Sequence, residues 1–526
     1  MDALTDRRPL ALVQRLRRSL DAIEPGALSP RDYATLQTLR WELDGAAEAR
    51  AYVTLDFSLL APRLTPLTEA FQVLGAYPLG SAQALEDYLF LLDGVSLWLL
   101  DARGALQARA AERVFASADV TRSARAFLVR LRDDVARGDF RVADARVQAL
   151  DTALVRAFRD QEAEESARHV QPAIDSLIRY LDTYTARALP RPGLWQYPGG
   201  KEFYRHLLRR NLGVEIEPEE AHRAGLSELR RVDSLLSVVR RQMGWTGSIR
   251  ALHDSLRLLP QNRAVPVDSV IARARAELLR ARDSLTAHAG WLPPALPTIR
   301  GATAGEALFS PDGDVVPPAT GENPQVLVTQ AWGTVDGRAE GPSLLYRWTW
   351  PGLALAATVG QRSDAGNPAL VLHPSIATRL GWSEYAGSLA GEAGLYADPL
   401  AAYGRLLHEG LNAALLVSDT GLHYFGWSRA QAVAVLRPYS LASEAALDSL
   451  FVERVVQTPG VGGAATIGAR EHAAMRAWMQ RVLGPRFDAA AWHHEVMSLG
   501  PVPLPVLASY LEWWGWDQRR RAATPR

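Results

Sequence analysis

Cysteine is absent from the chain, which excludes disulfides and thiolate metal sites without fixing the compartment. Lysine occurs once, at Lys201, and arginine carries almost all the positive charge, a mark of genome composition rather than of function. Net charge is missing too. The 58 basic and 58 acidic side chains cancel, so nothing indicates a nucleic-acid or anionic-membrane partner. The basic tail QRRRAATPR from Gln518 reads as a solvated terminus. No run reaches the roughly 20 apolar residues of a membrane span. Asp93 interrupts the best candidate, DYLFLLDGVSLWLL. The opening MDALTDRRPLALVQRLRRSLDAIE has no apolar core of signal-peptide length before charge returns at Arg15. The chain as given is expected to be soluble and cytoplasmic, or exported if translation begins upstream.

What is present is ordinary globular composition, 48% apolar and 22% charged over 526 residues, enough to bury a sizeable core. From Pro9 to Ala188 the apolar residues recur with helical period. Ser29-Pro30 is a capping pair, and Pro172 predicts a break or kink within Val142 to Arg187. LPRPGLWQYPGG, Leu189 to Gly200, is a turn-rich connector. Beyond it, Pro218 with Glu219 and Glu220 opens one helix, and Val267 to Ala289, capped by Asp268, forms another. Between Pro294 and Arg347 the β-prone runs QVLVTQAW and SLLYRW predict a small sheet or hairpin along a cleft. Helical sequence then resumes to Trp514. The expected fold is mainly α, a large helical unit with a small β-hairpin or sheet around residues 295–347. Its N-terminal half is 1–190 and its C-terminal half 191–526.

Four blocks carry a resemblance. They are SLDAIEPGALSPRDYATLQTLRWEL; GGKEFYRHLLRR with EPEEAHRAGLSELRRV; GWSEYAGSLAGEAGLYADPLAAYGRLLHEGLNAALLVSDTGLHYFGWSRAQAVAVL; and LGPRFDAAAWHHEVMSLGPVPLPVL. Together, in this order, they resemble the bacterial family catalogued as domain of unknown function 885. The resemblance implies a helical, zincin-like fold similar to helical metallocarboxypeptidases. It also implies a zinc site built on H-E-x-x-P-G-H-H and a downstream glutamate from E-G-W-x-x-Y-x-E. In such a site imidazoles and a carboxylate hold zinc with one open position, and the glutamate takes a proton from the bound water.

Carried over residue by residue, the resemblance finds the chemistry gone. Aligned on Pro351-Gly352, Arg347 stands at the first histidine and Trp348 at the glutamate, while Leu353 and Ala354 replace the paired histidines. Leu380 and Gly387 occupy the two downstream glutamate positions, with Tyr385 retained. Leu415 matches an arginine position, and Val461, Ala465 and Thr466 replace glutamine, tyrosine and lysine. Asp419, Thr420, Gly421, His423, Gly426 and Trp427 remain. The implied protein is a non-catalytic pseudo-peptidase without zinc or any other cofactor. Its vestigial cleft would comprise Arg347, Trp348, Leu353, Leu380, Glu384, Tyr385, Gly387, Asp419 and His423. A peptide, a carboxylate-containing small molecule or a protein partner would bind there.

Two dispositions of Arg347 stay open. It can aim into the cleft as a carboxylate clamp, or it can turn outward or pair with a local acid such as Glu384. Two rival functions stay open as well: a hydrolase with a metal site rebuilt from His408, His423, His493 or other residues, and a structural scaffold whose cleft is filled by Trp348, Leu353 and Leu380. His408-Glu409 begins like H-E-x-x-H, but Asn412 fills the second histidine position, and the pair reads as solvent-side. His493 and His494 diverge by about 100° on a helix, so they do not share one metal. Asp419 and His423 share a face if their segment is helical, but Gly421 equally permits a turn. The glycine run Gly460 to Gly468 lacks a G-K-S/T ending, and Ser388 and Ser418 lack nucleophile-elbow spacing.

Overall fold

Capping chemistry starts the first long helices. In the computed structural model, which describes residues 8–61, 66–260, 265–289, 292–310, 312–316, 323–335, 339–363 and 374–523, α1 (Arg8–Asp21) precedes α2 (Pro30–Ala49). Ser29 accepts the Asp32 N–H at the start of α2, with Pro30 in the first turn, where a missing N–H costs nothing. Helices α3 (Pro66–Ala76), α4 (Ala82–Ala111), α5 (Ala118–Arg137), α6 (Thr152–Glu165) and α7 (Gln171–Tyr184) follow. Between α6 and α7 the chain does not break at Pro172. It widens into a π-turn, Ser166–Val170, in which the Gln171 N–H reaches Ser166 O. Pro172 has no N–H to offer the preceding turn, and the wider turn absorbs that loss.

The next helices are α8 (Gly200–Leu212), α9 (Pro218–Gln242), α10 (Ile249–Leu258) and α11 (Val267–Ala289). Pro218, Glu219 and Glu220 fill the first turn of α9 as expected, and Asp268 lies within the first turn of α11. A three-stranded sheet is ordered β1 (Thr298–Gly301), β3 (Gln325–Val328), β2 (Asp314–Val316), with α12 (Ala304–Phe309) between β1 and β2 in the chain. β1 runs parallel and β2 antiparallel to β3, placing Ile299 and Val315 on either side of Val326 in one buried layer.

QVLV is thus a strand, but SLLYRW is not. After α13 (Gln330–Val335) it forms most of α14 (Gly341–Trp348), whose buried residues include Ser343, Tyr346 and Arg347 at i, i+3, i+4. Pro342 in its first turn and that buried helical face outweigh the β-prone composition. The segment is also not one helix through Pro351-Gly352. It stops after Trp348 and restarts as α15 (Leu353–Arg362), with a cis Trp350–Pro351 bond between. Proline disfavours helix at itself and at the residue before it.

The remaining helices are α16 (Ile376–Glu392), α17 (Pro399–His423), α18 (Arg429–Leu436), α19 (Glu444–Phe451), α20 (Ala464–Leu483), α21 (Ala489–Leu499) and α22 (Leu504–Ala523). One apolar cluster runs from Leu60 through α4, α5, α7 and α9 to Leu407, Ala413 and Phe451, so it joins residues on both sides of 190. A second gathers α11, the sheet, α14 to α16 and α20 to α22. A smaller third surrounds Tyr204, Leu212, Leu416 and Ile467. Helix α17 contributes to all three.

Helices α16 and α20 cross at Gly381 and Gly468, where a Cβ on Gly381 would lie 2.4 Å from the Gly468 Cα. Gly381→Ala is expected to destabilise the protein by about 1–3 kcal/mol, seen as a lower urea midpoint. Gly94→Ala is the control: it lies inside α4 with nothing within 4 Å of the added Cβ. It should stabilise by about 0.5–1 kcal/mol.

Candidate functional site

Arg347, in the last turn of α14, is 1% exposed and faces Glu384 of α16. Its Nε donates to Glu384 Oε2 at 3.1 Å and its Nη2 to Oε1 at 2.8 Å, a two-pronged ion pair. Nη1 donates to the Ser343 hydroxyl and to Ser343 O at 3.3 Å. Asn412 on α17 donates to Glu384 Oε2 at 2.7 Å. Burial by itself would raise the Glu384 carboxyl, but the adjacent guanidinium holds it well below the ordinary carboxylate range. Of the two dispositions left open for Arg347, the structure adopts pairing with the local acid. Its charge is satisfied inside the fold by Glu384 rather than held free for a ligand carboxylate.

Gly387, one turn beyond Glu384, is what gives the guanidinium room. A Cβ there would lie 2.7 Å from Arg347 Cζ. The break after α14 is held from the same helix: Ser383 Oγ donates to Arg347 O and Trp382 Nε1 to Pro351 O, both at 3.2 Å. Tyr396 Oη is buried without a hydrogen-bond partner.

The pair His408-Glu409 is not solvent-side. Glu409 is buried and receives Arg405 and, at 2.7 Å, Arg231. His408 Nε2 lies 4.0 Å from Glu384 Oε2. Burial, then the Arg347 charge, push its imidazole down to about 3, so it is neutral at physiological pH. The fold therefore brings the HEGLN stretch to Arg347 and Glu384, because α17 packs against α14 and its Asn412 reaches Glu384 of α16.

The other residues expected in the cleft lie elsewhere. Trp348 is half-buried, its ring edge-on to Trp332 at 5.9 Å. Leu353 is buried in the second cluster, while Leu380 packs against the third. Tyr385 points to the opposite side of α16, where its hydroxyl meets His493 Nε2 at 2.9 Å and Arg476 Nη1 at 3.2 Å. Positions 380, 384 and 387 share one face of α16, on which Glu384 and Gly387 meet Arg347, while Tyr385 points away from it.

Asp419 and His423 form a separate joint. Their segment is helical through His423, so Gly421 does not turn the chain; a Cβ there would strike the Trp427 ring at 2.3 Å. Asp419 accepts the Gly460 N–H at 3.0 Å, and Tyr204 Oη donates to its Oδ2 at 2.9 Å. Burial pushes the Asp419 carboxyl up to about 8, partly offset by those donors. The Leu194 N–H donates to His423 Nδ1 at 3.3 Å and Nε2–H donates to Val455 O at 2.9 Å, which fixes one neutral tautomer. Its imidazole is pushed down to about 4 by burial. His222 meets Thr420 Oγ1 at 2.7 Å. Every retained polar side chain of this block is engaged in joining helices.

His408, His423 and His493 do not converge. Among the described residues the one group of three metal-ligating side chains is Asp93, Glu165 and His169, their donor atoms within 4.8 Å of one another. The E-x-x-x-H spacing just before Pro172 could have signalled two of them. Also unforeseen is an open groove of about 1090 Å³ between α5, Pro190–Pro192, the start of α18, and α19. Arg122, Arg125, Arg130, Arg191 and Arg429 line it with Val129, Trp427 and Val452. Arg429 and Arg122 share Asp119, and Arg125 pairs with Asp182. Arg191 lies over the Trp195 ring at 5.4 Å, and neither it nor Arg130 has a carboxylate partner among the described residues.

The family described as "Bacterial protein of unknown function (DUF885)" matches residues 2–511. Two solved structures share the fold. One, titled a "putative lipoprotein" from Colwellia psychrerythraea, has a TM-score of 0.82 at 18% identity, over 96% of this chain and 90% of that one. The other, a "putative lipoprotein of unknown function" from Shewanella oneidensis, has a TM-score of 0.70 at 15% identity, over 96% and 92%. No curated protein matches the chain.

Two outcomes follow from the geometry. Arg347→Ala strands the buried Glu384 and should cost about 3–5 kcal/mol in chemical denaturation, whereas Arg347→Met combined with Glu384→Met should cost much less. Asp419 keeps its proton to about pH 8 in the fold but loses it near the ordinary value of about 4 when unfolded. The native state therefore binds the extra proton in that window, and stability should fall as pH rises through it and level off above. Asp419→Asn should flatten the profile.

Proposed function

The chain belongs to the DUF885 family of bacterial proteins of unknown function, and from that premise we propose that it is a non-hydrolytic member that binds an acidic peptide. The observation that carries the first half is the Arg347–Glu384 pair. The zincin-like resemblance expects a first metal ligand at position 347 and a carboxylate at 387. The fold brings those two positions into contact, as a shared site would require, but they hold a guanidinium and a hydrogen atom. A cation already bound to Glu384 repels a second one, and Leu353 and Ala354 have no donor atoms. The residues present do not fit zinc, so no hydrolytic step is assigned to them.

The binding half rests on the groove. Arg347 is not available to a carboxylate, whereas Arg130 and Arg191 have no acidic partner among the described residues and line an open channel in which five arginines outnumber Asp119, Asp448 and Glu453, with apolar contacts at Val129 and Val452. Guanidinium groups pair with carboxylates in a two-pronged fashion, and a cavity of this size accommodates a short peptide. The likeness to chains titled lipoproteins supports an exported setting.

Titration with a hexaglutamate peptide, followed by tryptophan fluorescence, should show saturable, salt-sensitive binding that hexaglutamine does not share. The Arg130→Glu, Arg191→Glu variant should weaken it at least about tenfold. Binding unaffected by charge reversal would remove the groove from the proposal. Incubation with peptides and added zinc should yield no cleavage. Cleavage that a chelator stops and Glu384→Gln abolishes would refute the non-hydrolytic reading.

A further inference from the structure

The acid that interrupts the apolar run of α4 has unusual company. Asp93 Oδ1 lies 3.1 Å from His169 Nδ1, and Glu165 Oε2 lies 3.8 Å from the same nitrogen. A four-coordinate ion with bonds of about 2.0–2.1 Å holds its ligand atoms roughly 3.3 Å apart. The two separations from His169 bracket that edge, and all three ligand atoms lie within 4.8 Å of one another.

The donors come from three consecutive pieces of structure: α4, the last residue of α6, and the π-turn that accommodates Pro172. Single π-turns inside helices frequently mark functional sites. A separate observation favours a cation at this place. Glu165 Oε2 is buried from solvent and has no hydrogen-bond partner. An ionised oxygen in that state is costly, and it is aimed at His169. Ser96 Oγ donates to Asp93 O at 2.7 Å and lies 3.1 Å from Asp93 Oδ1. The adjacent cation Arg168 is drawn to Glu164.

We propose that Asp93, Glu165 and His169 bind a divalent first-row transition ion, which ties α4 to the α6–α7 junction. One imidazole and two carboxylates suit zinc, manganese or iron(II) better than calcium or magnesium, which take all-oxygen sites. The ion displaces the proton that His169 Nδ1 and Asp93 Oδ1 share, and water completes its shell on the half-exposed His169 side. The site stands apart from Arg347 and from the arginine-lined groove, and does not depend on the function proposed for them.

Zinc titration of the metal-stripped, full-length protein by calorimetry, with thermal unfolding in parallel, tests this. One equivalent should bind and raise Tm. His169→Ala and Asp93→Ala should each weaken binding at least about tenfold and abolish the rise in Tm. The metal-free variants should unfold near the wild-type temperature, which separates a lost ligand from a lost fold. His494→Ala, an exposed histidine on α21, should change neither readout. Absence of binding, or full binding by His169→Ala, would overturn the site. Zinc kept by His169→Ala but lost on Glu384→Gln would overturn both this site and the metal-free reading of Arg347.

Discussion

A guanidinium and a carboxylate that leave water must find each other, because each ion alone costs several kcal/mol to desolvate. Arg347 and Glu384 meet that demand in the middle of this protein, and the local structure is arranged to let them. The chain breaks after Trp348, so α14 ends with Arg347 directed at α16. Ser383 and Trp382, beside Glu384 in the chain, hold the broken segment by its carbonyls. Asn412 supplies the donor that Arg347 does not.

Helix α17 carries a second polar node near its other end. Asn412 faces Glu384, while Asp419 and His423 gather the segments at Leu194, Tyr204, Val455 and Gly460. The two nodes differ in charge. The first keeps an ion pair, whereas the second holds a carboxyl whose proton is retained to about pH 8 and a neutral imidazole. Both have their polar atoms turned inward, which leaves recognition to surfaces built elsewhere, such as the arginine-lined groove that begins where Trp427 ends the retained block.

Much of the architecture was legible because its signals are local. Ser29-Pro30 and Pro218-Glu219-Glu220 start helices through their own backbone and dipole chemistry, and QVLV is a strand. SLLYRW misled because its β-prone residues are decided by a buried helical face that only tertiary contact creates. The quoted blocks around Tyr204, His222 and Asp419 do meet in space. The candidate site was half legible. Arg347, Glu384 and Gly387 were named, but nothing local tells whether an arginine clamps a ligand or a neighbour. Spacing could have paired Glu165 with His169, but Asp93 joins them, and the groove is assembled, from segments far apart in the chain, where spacing carries no information.

The contact between Arg347 and Gly387 also constrains the order in which this sequence can change. A side chain at 387 forces the guanidinium, 2.7 Å from where its Cβ would be, to move off its pairing with Glu384. Arg347 cannot leave first without stranding Glu384, at about 3–5 kcal/mol, a large share of the roughly 5–15 kcal/mol that keeps a protein folded. Positions 347, 384 and 387 are therefore locked in sequence space. A descendant could acquire a different site here only by altering all three nearly together, so the present arrangement acts as a ratchet on the lineage.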